Sequence, residues 1–220
     1  MPLSKPSRII KVLIETQYLP TIAFYSLLYK SDILLIDKHE NYHKGSFRNR
    51  CEILSSQGRV SLSVPLQSGK NNQLPITEVK INNDENWMTN HLRSIKSCYG
   101  KAPYFEYYFH IFEEILAYEH TNLFDLNLLF IERFAQIFNL DHKLAFTEHF
   151  IKESSAEIDL KRDYISPKAK FRGQIIEDFK LKSYDQVFSD ELDFEANLSI
   201  LDLLFCLGPE AVLYLTRSLH

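Results

Sequence analysis

Residues 38–50 read KHENYHKGSFRNR and hold the densest chemistry in this chain. Lys38, Lys44, Arg48 and Arg50 stand there against one acid, Glu40, in a chain whose formal net charge is -4. A cationic cluster on an acidic chain is a candidate anion site. The guanidinium forks of Arg48 and Arg50 match phosphate or carboxylate oxygens two at a time, Lys44 supplies a point charge, and Asn49 can read an amide or base edge. The plainer reading is a solvated, salt-bridged loop leading into a hairpin.

The same stretch contains His39-Glu40-Asn41-Tyr42-His43, which matches HExxH. That motif works on a helix, where the two histidines share a face and bind zinc while the glutamate activates water. Here the residues before it look like a strand, and Lys44-Gly45-Ser46 would end a helix after one turn. Lys38 and Lys44 also oppose a dication. No metal is therefore expected, no cofactor is predicted, and a zinc-dependent hydrolase is the weakest of the functional readings.

Three further groups could contribute. Gln17 and Tyr18 precede Pro20-Thr21, where a first strand hands over to a helix; in an open α/β sheet that crevice binds ligands, and a helix N-terminus favours anions. The plainer reading is a capped turn. Trp87, His91 and Ser94 fall at i, i+4 and i+7 on one helical face, with Tyr99 nearby. His39 and His91 are the candidate bases near pH 7, although a histidine beside a tryptophan is more often a hydrogen-bonded boundary residue. Asp202 lies among apolar residues in LSILDLLF. A buried acid needs a partner, so Asp202 is expected to be structural and to pair with an arginine of the 38–50 loop.

The elements that must position these groups follow from periodicity. Ile10, Val12 and Ile14 alternate with Lys11 and Leu13 as a strand does. Pro20-Thr21 opens a helix, and Ile33 to Ile36 reads as a buried strand, so residues 9–37 form a βαβ-like unit. Residues 50–54 and 59–66 form a hairpin around Ser55-Ser56-Gln57-Gly58. Arg48 and Arg50 are expected on one face, with Asn49 opposite. Ile76 to Ile81 alternates again. Asn83 or Asp84 caps a helix bearing Met88, Leu92, Ile95 and Tyr99. Helices follow over 102–120 and 125–139, and 144–147 reads as a strand. Residues 148–182 read as a loop or insertion. Gly208-Pro209 separates two C-terminal helices.

Composition sets the frame. At 220 residues with 45% hydrophobic content the chain fits one domain with an ample core. Cys51, Cys98 and Cys206 are odd in number and far apart, which argues against a disulfide framework or a cysteine-rich zinc site and for reduced thiols in a cytoplasmic protein. No run of 18 apolar residues occurs, so no membrane span is expected. There is no GxGxxG and no P-loop, and the acidic balance without a nucleic-acid-binding pattern excludes nucleic acid as the expected partner.

Taken in order along the chain, several pieces resemble one family. They are Tyr18-Leu19-Pro20, Tyr25, Asp32, His39-Glu40-Asn41-Tyr42 with Lys44, and Ser46-Phe47-Arg48-Asn49-Arg50. Val64-Pro65-Leu66, Ile76, Trp87, His91, Ser94-Ile95, Tyr99, Pro103 and Phe105 continue the pattern. Tyr184-Asp185-Gln186-Val187-Phe188 and Asn197 to Phe205 with Gly208-Pro209 complete it. Together they resemble the WbqC-like family. The resemblance implies a bacterial protein of surface-polysaccharide (O-antigen) biosynthesis and brings no agreed catalytic residues. Between Glu153 and Leu181 longer members carry an extra α/β segment; its absence here would imply a smaller pocket.

The expectation is one α/β domain over residues 1–220. It is a small mixed sheet with an N-terminal βαβ-like unit and a hairpin, packed by helices from the middle and C-terminal regions. Residues 1–82 are mainly β with one short helix, 83–147 mainly helical, and 183–220 the C-terminal helices. The leading functional expectation is a transferase or ligase binding an anionic donor, a sugar nucleotide or other phosphate-bearing molecule. Gln17, Tyr18, Lys44, Arg48, Asn49, Arg50, Trp87, Ser94 and Tyr99 would line its site. The alternative is a non-catalytic accessory protein of the same pathway. Oligomeric state is left open.

Overall fold

The computed structural model describes residues 10–67 and 73–217. The N-terminal unit is a parallel crossover, as the pattern predicts. Strand β1 (Lys11–Ile14) leads through helix α1 (Ile22–Lys30) to strand β2 (Ile33–Ile36). The strands pair in parallel with Val12 opposite Leu34 and Ile14 opposite Ile36. Thr21 caps α1, its side chain accepting from the Phe24 N–H at 3.3 Å, which satisfies a donor the helix cannot use itself.

After β2 the chain makes a 3-10 turn over Phe47–Asn49 and enters the hairpin β3 (Arg50–Ser55) and β4 (Gly58–Ser63). Arg50 faces Ser63 and Ser55 faces Gly58. The turn ends on Gly58 at φ +94°, a conformation open to glycine without cost. This hairpin forms its own sheet, separate from the parallel one. The alternation at Ile76–Ile81 does not become a strand. Residues Ile76–Glu78 form a 3-10 turn, and isolated bridges, Leu66 to Ile81 and Lys80 to Asn122, help tie the region down, with the Ile76 N–H donating to the Glu40 carbonyl at 2.9 Å.

Helices α2 (Trp87–Tyr99), α3 (Phe105–Ile115) and α4 (Leu123–Ile137) supply the aromatic core. Tyr25 of α1 meets the rings of Phe134 and Phe138, and its hydroxyl donates to the Ile131 carbonyl at 3.2 Å. Neither Asn83 nor Asp84 caps α2, which begins three residues past Asp84; Asn83 instead accepts from Trp87 Nε1 at 3.2 Å.

Strand β5 (Leu144–Phe146) joins β2 in parallel. The 148–182 segment is not merely a loop. It contributes β6 (Ile158–Leu160), which pairs in parallel with β1, and the short helix α5 (Arg172–Asp178). This stretch of the chain therefore brings its own strand and helix. Helices α6 (Ile200–Leu207) and α7 (Ala211–Arg217) close the chain, with Gly208 at φ +54° between them. A Cβ at Gly208 would sit 2.4 Å from the Tyr104 ring, so the break is sterically reserved for glycine.

The parallel sheet runs β5-β2-β1-β6. Successive strands add in one direction from β1 to β5, and β6 then returns to the opposite side of β1. The order therefore switches between β1 and β6, and the chain leaving β6 stays bonded to β1, the Lys161 N–H donating to the Leu13 carbonyl at 2.8 Å. A crevice at such a switch point is where open α/β sheets bind ligands.

Candidate functional site

Each strand meeting the crevice is followed by polar or charged residues. Glu15, Thr16 and Gln17 follow β1, Asp37 follows β2, and Arg162 and Asp163 stand just beyond β6. Into this edge the 3-10 turn inserts Arg48, whose side chain is fully buried. Asn127 of α4 fixes the turn from below by donating to the Arg48 carbonyl at 2.8 Å.

A guanidinium without water must find acceptors, and Arg48 finds two acids. Nε donates to Glu40 Oε1 at 2.9 Å, Nη2 donates to Glu40 Oε2, and Nη1 reaches Asp163 Oδ1 at 2.7 Å. Arg162 is held the same way: its Nε donates to Asp37 Oδ2 at 2.9 Å, and it lies 4.5 Å over the Phe150 ring. The Asp163 N–H donates to Glu15 Oε2 at 2.9 Å. Three carboxylates, Asp37, Glu40 and Asp163, thus share two guanidinia, Arg48 and Arg162, while Glu15 accepts from the backbone beside them.

Burial, opposed by the guanidinia, sets the proton affinities. Burial pushes Glu40 up to about 8, overcoming the opposing pull of Arg48. Burial likewise raises Glu15. For Asp163 burial acts in the same direction, but Arg48 and then His43 outweigh it and hold the carboxyl below its usual range. Because Glu40 binds its proton more tightly folded than unfolded, its contribution is fully present below about 4.5 and is lost as pH rises through about 8. Melting temperature measured from pH 5 to 9 is expected to fall across that window. Glu40→Gln, which carries no titrating proton, should flatten the fall; an equally steep slope in that variant would contradict the assignment.

Beside the network opens a cleft of about 560 Å³, lined among others by Tyr42, His43, Lys44, Ser46, Asp163 and Lys168. His43 Nδ1 lies 2.8 Å from Asp163 Oδ2. Asp163 has φ +61°, a left-handed backbone that is uncommon outside glycine.

Of the residues read from sequence as a site, Lys44 lines this cleft. Arg48 lies beneath it with its donors occupied by Glu40 and Asp163. Arg48 and Arg50 do not alternate around Asn49, because residues 47–49 are a 3-10 turn and not a strand. Asn49 is turned inward, accepting from the Tyr42 hydroxyl and donating to the Val64 carbonyl, each at 3.0 Å. Arg50 is half-buried at the start of β3, and its Nε has no hydrogen-bond partner. Gln17 accepts from the Thr21 N–H and hydroxyl, supporting the start of α1.

The α2 group forms a second, interior cluster. The Tyr18 hydroxyl bonds His91 Nδ1 at 2.9 Å, and the Trp87 ring stands edge-on 5.2 Å from His91. Burial lowers His91 to about 4, so it is neutral at physiological pH. Ser94 is half-buried further along the helix. Tyr99 accepts from the Leu54 N–H at 2.9 Å and donates to Asp202 Oδ2 at 2.8 Å. Asp202 is buried, as its setting in the sequence implies, but its partners are Tyr99, Tyr184 and Gln186 and not an arginine of the 38–50 loop.

His39 is exposed and lies outside the cleft lining. The HExxH segment is not helical, Glu40 is turned onto Arg48, and His43 onto Asp163. Among the described residues no group of three or more His, Cys, Asp or Glu is placed to hold a metal ion. No helix among them is long and apolar enough to cross a membrane.

Sequence reasoning missed Glu15, Asp37, Arg162, Asp163 and Lys168, and considered His43 only as a zinc ligand. A signal existed for two of them: Glu15 and Asp37 each follow directly on an apolar strand run. None existed for Asp163, which belongs to a segment without periodicity.

Comparison with known proteins places the geometry in a lineage. The model of the WbqC-like protein family matches residues 16–165, a span that includes Glu40, His43, Arg48 and Asp163. The chain is also 25% identical over 225 residues to a protein of Mycobacterium tuberculosis (strain ATCC 25618 / H37Rv) described as "Uncharacterized protein Rv1507c", an alignment covering 92% of this chain and 96% of that one. No solved structure matches.

Proposed function

The chain belongs to the WbqC-like protein family, and on that footing we propose that it is a transferase or ligase of bacterial surface-polysaccharide biosynthesis, taking an anionic donor such as a sugar nucleotide in the cleft beside β1 and β6. The observation that carries this reading is the position and lining of the cleft. It abuts the switch point of a parallel sheet, and Lys44, Lys168 and the hydroxyl of Ser166 line it. Ammonium groups neutralise phosphate charge and hydroxyls supply further hydrogen bonds, the combination a phosphate-bearing donor needs. The buried ion network below supplies a rigid floor for the two loops carrying these groups.

Thermal denaturation in the presence of UDP-sugars, nucleoside diphosphates and inorganic pyrophosphate tests the reading. A ligand at about 100 times its Kd adds about 2.7 kcal/mol, which raises Tm by about 5–10 °C in a chain of this size. The double variant Lys44→Glu/Lys168→Glu should lose that shift. No shift with any phosphate-bearing compound, or the same shift in the double variant, would remove the donor from this cleft. A donor that binds and is never consumed would favour the accessory role.

A further inference from the structure

Resting on that reading of the cleft, we propose that His43 is the general base of the transfer and that Asp163 is the residue that positions it. The imidazole Nδ1 lies 2.8 Å from Asp163 Oδ2. The carboxylate is itself clamped: its Oδ1 accepts from Arg48 Nη1 at 2.7 Å, and its backbone N–H is given to Glu15 at 2.9 Å. A carboxylate only accepts, so the proton of the neutral ring resides on Nδ1 and the lone pair on Nε2. The same logic orients the imidazole in acid–histidine–nucleophile sites on unrelated folds.

A plainer account is a surface ion pair, which would be worth little and would need no support. Two observations separate this pair from that class. The group holding Asp163 is a guanidinium with 0% exposure, and the Asp163 backbone N–H is bonded to the buried Glu15 carboxyl. The His43 ring, by contrast, is 56% exposed and lines the cleft, so a bound acceptor can approach its free nitrogen. The other two candidates fail on geometry: His91 bonds Tyr18 in the interior, and His39 lies outside the cleft lining.

The step balances with a sugar-nucleotide donor. As the acceptor hydroxyl oxygen forms its bond to the donor's anomeric carbon, His43 Nε2 takes the hydroxyl proton. The bond between that carbon and the phosphate oxygen breaks, its electron pair leaves on the phosphate, and Lys44 and Lys168 neutralise the developing charge. A positioned base of this kind is typically worth about 10²–10⁴-fold in rate.

The arrangement is tested on the whole chain by nitrogen-detected NMR of the histidine rings and by mapping diethylpyrocarbonate modification. His43 is expected as a single Nδ1–H tautomer, with carbethoxylation at Nε2. Asp163→Asn should keep the fold, since asparagine tolerates the left-handed backbone, yet release His43 into a mixture of tautomers. An Nε2–H tautomer in the parent chain, an unreactive His43 among reactive surface histidines, or an unchanged tautomer in Asp163→Asn would each overturn the proposal. Inorganic pyrophosphate should slow modification of His43 at least twofold. A correct tautomer without that protection would overturn the donor reading of the cleft and leave the dyad standing.

Discussion

Arg48→Ala is expected to destabilise the protein by about 3–5 kcal/mol where Glu40 is ionised, above about pH 8, the range for removing one partner of a buried ion pair. The side chain is fully buried, and its loss strands Glu40 at 1% exposure with no other guanidinium closer than Arg162, 3.8 Å away and already bound to Asp37. Glu15, also fully buried, loses the charge that partly offsets its desolvation. In a chain of this length that corresponds to a fall in Tm of about 6–20 °C. The loss should be greater at pH 8.5 than at pH 5, because the stranded acids can take up protons at the lower pH. Combined with Glu40→Gln it should be less than additive, since one of those acids is then gone. Scanning calorimetry at the two pH values decides it: a variant melting within about 2 °C of the parent would mean that water or rearrangement replaces Arg48, and the rigid floor of the cleft would go with it.

Asp202→Ala is expected to cost about 3 kcal/mol or more, by a different route. Its carboxylate is the acceptor for three buried donors, the hydroxyls of Tyr99 and Tyr184 and the amide of Gln186. Each donor left without a partner costs about 1–3 kcal/mol. Asp202→Asn retains one oxygen and should cost clearly less. Burial raises the Asp202 carboxyl against the pull of Tyr184, Tyr99 and Gln186, so its stabilisation is strongest at low pH and declines as pH rises past the ordinary carboxylate range. The asparagine variant should lose that portion of the slope. Because Asp202 joins α6 to α2 and to the 184–186 segment, and not to Arg48, phosphate binding in the cleft should be unaffected. Equal melting temperatures for the alanine variant and the parent would make Asp202 a solvated helix position; weakened phosphate binding would restore the link to the loop that the sequence suggested.

The two predictions show where local pattern stops being informative. Asp202 is legible as a buried acid because six apolar neighbours, Leu198, Ile200, Leu201, Leu203, Leu204 and Phe205, leave an ionised group no exit to water. Its partners are not legible, because Tyr99 is 103 residues away and nothing in its own surroundings distinguishes a donor from a core ring. Arg48 stands out in the sequence as a cation in a cationic loop. That it points inward follows from the 3-10 turn and from Asp163, 115 residues further on.

By itself the sequence determined what rests on short-range periodicity and punctuation. The βαβ unit follows from two apolar runs around a proline-opened helix. The hairpin follows from alternation around Gly58, the C-terminal break from Gly208-Pro209, and the family from motifs spread in order along the chain. Tertiary structure decided the rest. Ile158–Leu160 is only three residues long and becomes a strand because the open edge of β1 offers it hydrogen bonds. Its arrival on that side of β1 creates the switch point, carries Arg162 and Asp163 to Asp37, Glu40 and Arg48, and turns a loop of apparent anion binders into a buried ion network beneath a cleft. The physical reason is that a buried charge is placed by whichever opposite charges the fold can bring to it, and for Arg48 with Asp163 and Arg162 with Asp37 those come from segments the chain separates by more than a hundred residues.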